Sequence, residues 1–553
     1  MKTHAAALLA ATALATTLAS PALAECTAEA FAQDTFAHEG VTLTGIEALP
    51  AGEDSPLPHC RVTGEMNQRI GAEGRAYAIG FELRLPDEWN GRFVHQFNGG
   101  NDGEVKPAVG PLLSGNKADT ALSRGYAVVS SNAGHDGALF KDKGLAGGAN
   151  FGFDPEARAA YGYTAVRDLN PVAEALVQTY YGSDIAYSYG IGGSNGGRHA
   201  MVAAARMPEA FDGLLVGYPG FNLPRAALQH ALDVQAFRST GKPLAESFSK
   251  DDLTLVASKL LDACDALDGL ADGLINDAPA CQQAFDPASL TCTDGQNSAC
   301  LTPEQTAALV TIHAGPKGAN GEQLYSDWDW DTGIGSGNWR FWKVESTVPP
   351  WGQKPIIAVM GAASLAQIFT TPPTPVEGSP EALEQFLMEF DIAGQAAGID
   401  ATDKTFTESA MEVMTPPGSD DPKLAEFRAA GGKILILHGN SDPVFSVRDT
   451  MAWYDKLDAN TGGAAHEVVT FYRVPGMPHG AGGPSTDGFD VMTPLVDWVE
   501  NGTAPGAITA TVTEGNTEGQ AALGPVSRKL CPYPQIARYT GSDPASADSF
   551  TCE

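Results

Sequence analysis

Residues 185–207 read as a strand, a tight turn and a helix, and the turn is Gly192-Gly193-Ser194-Asn195-Gly196. The stretch 185–190 is short and apolar, and 197–207 is rich in Ala at helical spacing. A G-x-S-x-G turn at such a junction constrains a chain more than any strand or helix alone. Small residues at 192 and 196 allow a sharp, strained bend, and that bend lifts the Ser194 hydroxyl above the edge of a sheet. The string occurs once in the sequence. Ser194 is therefore the candidate nucleophile.

The rest of the chain supplies the sheet that such a turn needs. Strands are predicted at 81–85, 92–97 and 126–130 before the turn, and at 214–216, 433–437 and 467–472 after it. Residues 158–181 and about 491–500 carry apolar side chains at helical spacing. Strands alternating with helices imply an α/β protein with a mostly parallel sheet and helices on both faces. From Phe221 to Pro422 the alternation breaks. That stretch contains four of the eight cysteines, an Asp cluster, clustered tryptophans and the turns Pro349-Pro350, Pro372-Pro373 and Pro416-Pro417. The expected organisation is a leader over 1–24, a core over 25–220, an inserted domain over 221–422 and the rest of the core over 423–553.

Two later loops offer partners for Ser194. In Leu437-His438-Gly439-Asn440-Ser441-Asp442-Pro443, an Asp follows a buried strand and can aim its carboxylate across the strand ends. The plainer alternative is an Asp-Pro turn that only steadies its loop. In Val474-Pro475-Gly476-Met477-Pro478-His479-Gly480, a His follows the last strand on a loop shaped by Gly and Pro. Its alternative is an exposed loop His. The order Ser194, Asp442, His479 is that of the α/β-hydrolases. In those roles Ser194 attacks an ester carbonyl, His479 carries the proton and Asp442 orients the imidazole. The oxyanion needs two donors. One is the backbone N–H of Asn195. The other comes from Asn98-Gly99-Gly100, where Gly99 and Gly100 both remain open.

Composition narrows the partners. Lys and Arg total 34 against 67 Asp and Glu, a formal charge of −33. Such a surface repels phosphate, so nucleic acid and anionic membranes are poor partners. Charged residues are only 18% and apolar residues 43%, enough for a large core. Lys2 and His4, the apolar run 5–18 and the small-residue site Ala22-Leu23-Ala24 predict a cleaved leader and a protein exported from the cytoplasm. Eight cysteines suit that compartment as four disulfides. Proximity suggests Cys26–Cys60, Cys264–Cys281, Cys292–Cys300 and Cys531–Cys552. Zinc is the alternative, and no C-x2-C pair supports it.

The insertion also contains an acidic loop with Asp262, Asp265, Asp268 and Asp272 among Gly269 and Gly273. Oxygen ligands on a flexible loop suit Ca²⁺, although the EF-hand spacing is absent. The expected ligands are the side chains of Asp265, Asp268 and Asp272 with the carbonyls of Leu270 and Leu274. A solvated acidic loop is the alternative. The ion would be structural, because the proposed chemistry needs no metal.

Taken together, these residues resemble the tannase and feruloyl esterase family of secreted α/β-hydrolases. The likeness covers nearly the whole chain beyond the leader. It runs through Asp87-Glu88-Trp89-Asn90-Gly91-Arg92-Phe93, Gly134-His135, the Ser194 turn, the loop between Cys264 and Cys281, Val474-Pro475-Gly476-Met477 with His479, and Leu530-Cys531-Pro532-Tyr533-Pro534. The resemblance implies an α/β-hydrolase core, an inserted lid with a calcium ion, and hydrolysis of esters of aromatic acids such as gallate, hydroxycinnamates or terephthalate half-esters. It also implies a cysteine just before the nucleophile and another just after the His. Here those positions are Gly193 and Gly480.

Trp339, Phe341, Trp342 and Phe369 offer rings to stack on an aromatic acyl group, with the core of the insertion as the commoner alternative for such residues. The insertion has three arginines, Arg225, Arg238 and Arg340. A substrate with a free carboxylate calls for one of them, and unless Arg340 serves, an uncharged or phenolic acyl group is expected. Two other functions compete with an aromatic esterase. One is a broader carboxylesterase or lactonase on aliphatic or polymer-derived esters. The other is a calcium-stabilised binding protein without activity.

Overall fold

A computed structural model describes residues 25–31, 40–293 and 299–553. The expected leader, 1–24, lies outside the described residues. Nine strands form the main sheet: β1 Val41–Leu49, β2 His59–Ile70, β3 Ala76–Pro86, β4 Arg92–Phe97, β5 Ala127–Ser131, β6 Tyr187–Gly193, β7 Gly213–Gly217, β8 Lys433–Gly439 and β9 Val469–Val474. Their order across the sheet is β1-β2-β3-β5-β4-β6-β7-β8-β9. The first three and the β3–β5 pair are antiparallel. Every pair from β5 to β9 is parallel.

The parallel strands are covered on both faces, so they are apolar almost throughout. All five residues of β5 and of β7 are buried. Alternate side chains enter different cores. Ile434 and Ile436 pack with the helices Asn195–Arg206 and Val447–Asn460. Leu435 and Leu437 pack on the other side with Leu495 of Met492–Asn501. The antiparallel β1 and β2 were not foreseen. No residue of β1 is buried, and polar side chains such as Thr42, Thr44 and Glu47 interrupt the apolar pattern that would reveal it.

Between β7 and β8 the chain leaves the sheet for a helical body. It includes Leu223–Arg238, Lys250–Cys264, Pro303–Ala314 and Pro380–Glu389. Phe237, Phe248, Leu253, Leu260, Leu309 and Leu383 form part of a core that the body shares with Phe140, Phe151, Tyr161 and Phe445 from outside it. Ser249 and Thr302 start two of these helices with reciprocal capping boxes, which satisfy amides that the first turn leaves free. All four disulfides have the expected pairing: Cys26–Cys60, Cys264–Cys281, Cys292–Cys300 and Cys531–Cys552. Among the described residues no helix is long and apolar enough to cross a membrane.

Candidate active site

β6 passes into the helix Asn195–Arg206 through Ser194, whose φ is +63° and ψ −127°. A non-glycine residue there is strained by roughly 1–3 kcal/mol and persists only when its surroundings enforce it. Here Ser194 N donates to the Gly217 carbonyl at 3.0 Å and the Ser194 carbonyl accepts Gly220 N at 3.2 Å, and the turn around it is close-packed. A Cβ on Gly192 would stand 2.5 Å from the Gly196 carbonyl carbon, and one on Gly196 would stand 2.3 Å from the Phe97 oxygen. Both positions must lack a side chain for the turn to close.

The loop after β8 brings Asp442 to the same sheet edge. Its Oδ1 accepts the backbone N–H groups of Val444 at 2.8 Å and Phe445 at 3.0 Å. Its Oδ2 lies 2.7 Å from His479 Nδ1, and His479 Nε2 lies 2.9 Å from Ser194 Oγ. A carboxylate at Nδ1 makes that nitrogen the donor and leaves Nε2 to accept the hydroxyl proton. Burial works to raise the Asp442 carboxyl. The charges and hydrogen bonds of His479 and His438 override it and keep the group ionised far below the usual carboxylate range.

Three aromatic rings meet the His479 imidazole edge-on: Tyr218 and Trp342 at 4.8 Å and Phe445 at 5.6 Å between centroids. Each such pair is worth about 0.5–1.5 kcal/mol beyond its buried area. Asn338 Nδ2 donates to the His479 carbonyl at 3.0 Å. The helical body thus supplies one wall of the site.

The backbone N–H of Asn195 opens a helix whose first bond runs from Arg198 N to the Ser194 carbonyl, so it has no partner within the helix. Of the two glycines, Gly99 is beside the nucleophile, where a Cβ would sit 3.7 Å from Ser194 Cβ. A Cβ on Gly100 would instead approach Met360 Sδ at 3.8 Å.

Behind this loop lies a buried polar network that the sequence reading missed. Asp102 Oδ2 accepts from Asn195 Nδ2 at 2.7 Å and from His199 Nε2 at 2.9 Å. Arg198 Nε donates to Asn195 Oδ1 at 2.6 Å, and its two Nη atoms reach the carbonyls of Tyr161 and Gly162. Burial pushes the Asp102 carboxyl up to about 7, against the pull of His135 and Arg198. Burial, then the charge of Arg198, keeps His199 neutral. The available signal was the set Asn195, Arg198 and His199, three polar residues on one face of an Ala-rich helix.

The other expected residues are placed as follows. Trp342 stands at His479, but Trp339 and Phe369 are only 4% and 3% exposed, in the helical core. Phe341 stacks on Trp351. Arg340 donates to Glu345 at 2.7 Å and to the Phe248 carbonyl at 2.7 Å. Arg225 pairs with Asp420 and Arg238 with Glu384.

In the acidic loop, Asp265 accepts the backbone N–H groups of Asp272 and Gly273. Asp268 accepts from Leu270 N and Asn276 Nδ2. Asp272 pairs with Arg528, whose Nε lies at 2.8 Å. Among the described residues no three His, Cys, Asp or Glu side chains converge as a metal-binding group. A cation here would therefore rely on main-chain carbonyls such as those of Leu270 and Leu274. One feature favours a cation. Asp268 is 2% exposed, and burial raises its carboxyl to about 6.

A mostly parallel sheet that carries a strained strand-to-helix serine, with an acid and a histidine on the loops after its last two strands, defines an α/β-hydrolase. The chain belongs to the tannase and feruloyl esterase family of carboxylic ester hydrolases, and that family matches residues 60–553. It is 38% identical over 533 residues to the mono(2-hydroxyethyl) terephthalate hydrolase of Piscinibacter sakaiensis, covering 92% of this chain and 87% of that protein. It is 29% identical over 494 residues to a probable feruloyl esterase of Arthroderma benhamiae, covering 85% and 81%. In fold it is similar to feruloyl esterase B from Aspergillus oryzae, with a TM-score of 0.73 at 22% identity over 94% of this chain and 98% of that one. The tannin acyl hydrolase of Aspergillus niger gives 0.67 at 21% identity over 96% and 95%.

Proposed function

We propose that this chain is an exported serine esterase acting on esters of uncharged aromatic acids. The observation that carries the reading is the unbroken contact from Asp442 to His479 at 2.7 Å and from His479 to Ser194 at 2.9 Å. Ser194 Oγ attacks the ester carbonyl as His479 Nε2 takes its proton. The negative oxygen is met by the N–H groups of Asn195 and of Gly99 or Gly100. His479 then protonates the leaving alcohol, and an acyl-enzyme remains. Water repeats the sequence and frees the acid, while Asp442 stabilises the imidazolium in both halves.

The aromatic preference is supported by the relatives named for terephthalate and feruloyl esters. Trp342, beside the imidazole, offers a ring for stacking. An uncharged acyl group is supported by the insertion's arginines, each of which already has an acidic partner. The helical body acts as a lid, because Trp342 and Met360 bring it to the His479 imidazole and the Gly100 loop. Calcium in the acidic loop is a structural ion held by Asp265, Asp268 and the Leu270 and Leu274 carbonyls, with Asp272 shared with Arg528. Four disulfides suit the exported compartment.

A fluorophosphonate probe tests the chemistry. Labelling at Ser194 that vanishes in Ser194→Ala, together with loss of ester hydrolysis, is the expected result. Activity retained by Ser194→Ala overturns it. Substrate class is tested by comparing methyl ferulate and methyl gallate with mono(2-hydroxyethyl) terephthalate and p-nitrophenyl butyrate. The uncharged aromatic esters should give the highest kcat/KM. A preference for the terephthalate half-ester would place a cation at the acyl group and defeat the specificity reading. A preference for the butyrate would favour a broader carboxylesterase.

A further inference from the structure

Tyr218 immediately follows β7, and its φ is +34°, an uncommon conformation for a bulky side chain. Its N–H donates to the Leu437 carbonyl at 2.7 Å, which ties it to β8. On either side of it the neighbouring residues are tied to the nucleophile. Ser194 N donates to the Gly217 carbonyl at 3.0 Å, and Gly220 N donates to the Ser194 carbonyl at 3.2 Å.

The phenol is directed into the space between the two catalytic loops. A Cβ on Gly193, just before the nucleophile, would stand 2.4 Å from Tyr218 Oη and 2.5 Å from Cζ. A Cβ on Gly480, just after the histidine, would stand 3.9 Å from the same oxygen and 4.0 Å from the same carbon. The ring also meets the His479 imidazole edge-on, at 4.8 Å and 70°. One side chain therefore fills the space against the turn that bears the hydroxyl, stands beside the loop that bears the base, and meets the base itself. Gly193 cannot carry any side chain while Tyr218 occupies this space.

We propose that Tyr218 is a positioning residue, a wedge between Gly193 and Gly480 that fixes the His479 ring against the Ser194 hydroxyl. The proposal rests on the serine-esterase reading above. Its energetic logic is alignment: a displacement of about 1 Å between reacting groups costs up to about a hundredfold in rate. The hydroxyl of Tyr218 takes no chemical part, so the ring alone should suffice.

Three single variants and one double variant test this, with every rate expressed per site titrated by the fluorophosphonate probe, so that misfolded protein does not count. Tyr218→Ala should lower kcat at least tenfold with KM within twofold. Tyr218→Phe should stay within threefold of the parent. Gly193→Ala should lower kcat when Tyr218 is present, because the new methyl displaces the ring, and should cost much less in the Tyr218→Ala background. That coupling is what contact between the two positions requires.

If Tyr218→Ala keeps its kcat per titrated site and loses only thermal stability, the residue is merely structural and the proposal is overturned. Equal penalties for Gly193→Ala in both backgrounds also overturn it. Should Tyr218→Ala fail to fold, Gly193→Ala alone still decides: an unchanged kcat per site rejects the wedge. Failure of the underlying reading looks different, because Ser194 would then not be labelled in any variant.

Discussion

Asp102 does more than satisfy its own oxygens. Its carboxylate receives Asn195 Nδ2 and His199 Nε2 in a buried setting, and Asn195 is the residue proposed above to offer its backbone N–H to the oxyanion. Removing that acceptor leaves two buried donors unpaired, at about 1–3 kcal/mol each. Asp102→Ala should therefore lower the Tm and reduce kcat by about 10- to 100-fold, somewhat less than loss of an oxyanion donor itself. Asp102→Asn keeps one acceptor and should be milder on both counts. Steady-state kinetics beside thermal melts check this, and an unchanged kcat in Asp102→Ala would refute the link to the oxyanion loop. At this scale the sequence was legible where chemistry sits beside a strand end. Ser194, Asp442 and His479 each follow a recognisable strand. Asp102 and Tyr218 were not legible, because their partners lie far along the chain and neither belongs to a motif. Trp339 and Phe369 are buried in the helical body, and from sequence an aromatic side chain reads the same in a cleft and in a core.

Elements buried on both faces announced themselves, and those buried on one face or none did not. The parallel strands β4 to β9 were legible from short apolar runs, within a few residues at their ends. β1 and the solvated half of β2 carry too many polar side chains to stand out. The insertion was visible as a break in alternation, although its helices were not resolved individually. Its acidic loop, from Asp265 to Leu274, is the element on which a cation would act. Asp268 is buried with a raised carboxyl, and a bound Ca²⁺ would ionise it and relieve that cost. Adding EDTA should lower the Tm, and Ca²⁺ in excess of chelator should restore it. In Asp268→Asn the EDTA shift should shrink. Identical melting curves with and without chelator would dismiss a structural calcium.

For the molecule as a whole, pH acts through two opposed sets of buried groups. Burial keeps His95 and His135 neutral down to about 4, and His230 and His313 down to about 3. Burial also raises Asp102 and Asp449 to about 7 and Asp331 to about 6. A histidine with a depressed folded pKa stabilises above its unfolded value of about 6.5, and that stability is lost as pH falls toward the folded value. The raised carboxyls stabilise at low pH and lose their contribution as pH rises from about 4 to 7. The two sets partly cancel, so a single variant reads them better than the parent profile. For His95, 1% exposed and bonded to Asn170, the shift corresponds to about 3 kcal/mol between pH 6.5 and 4. His95→Asn should therefore gain on the parent as pH falls through that window in chemical denaturation. Parallel profiles would show that His95 does not contribute to acid sensitivity.

The nucleophile follows β6, whereas its acid and base follow β8 and β9, beyond the whole helical body. A growing chain thus holds the reactive oxygen long before it holds anything able to activate it. Hydrolytic power arrives last, once the final strands have docked against a sheet begun hundreds of residues earlier.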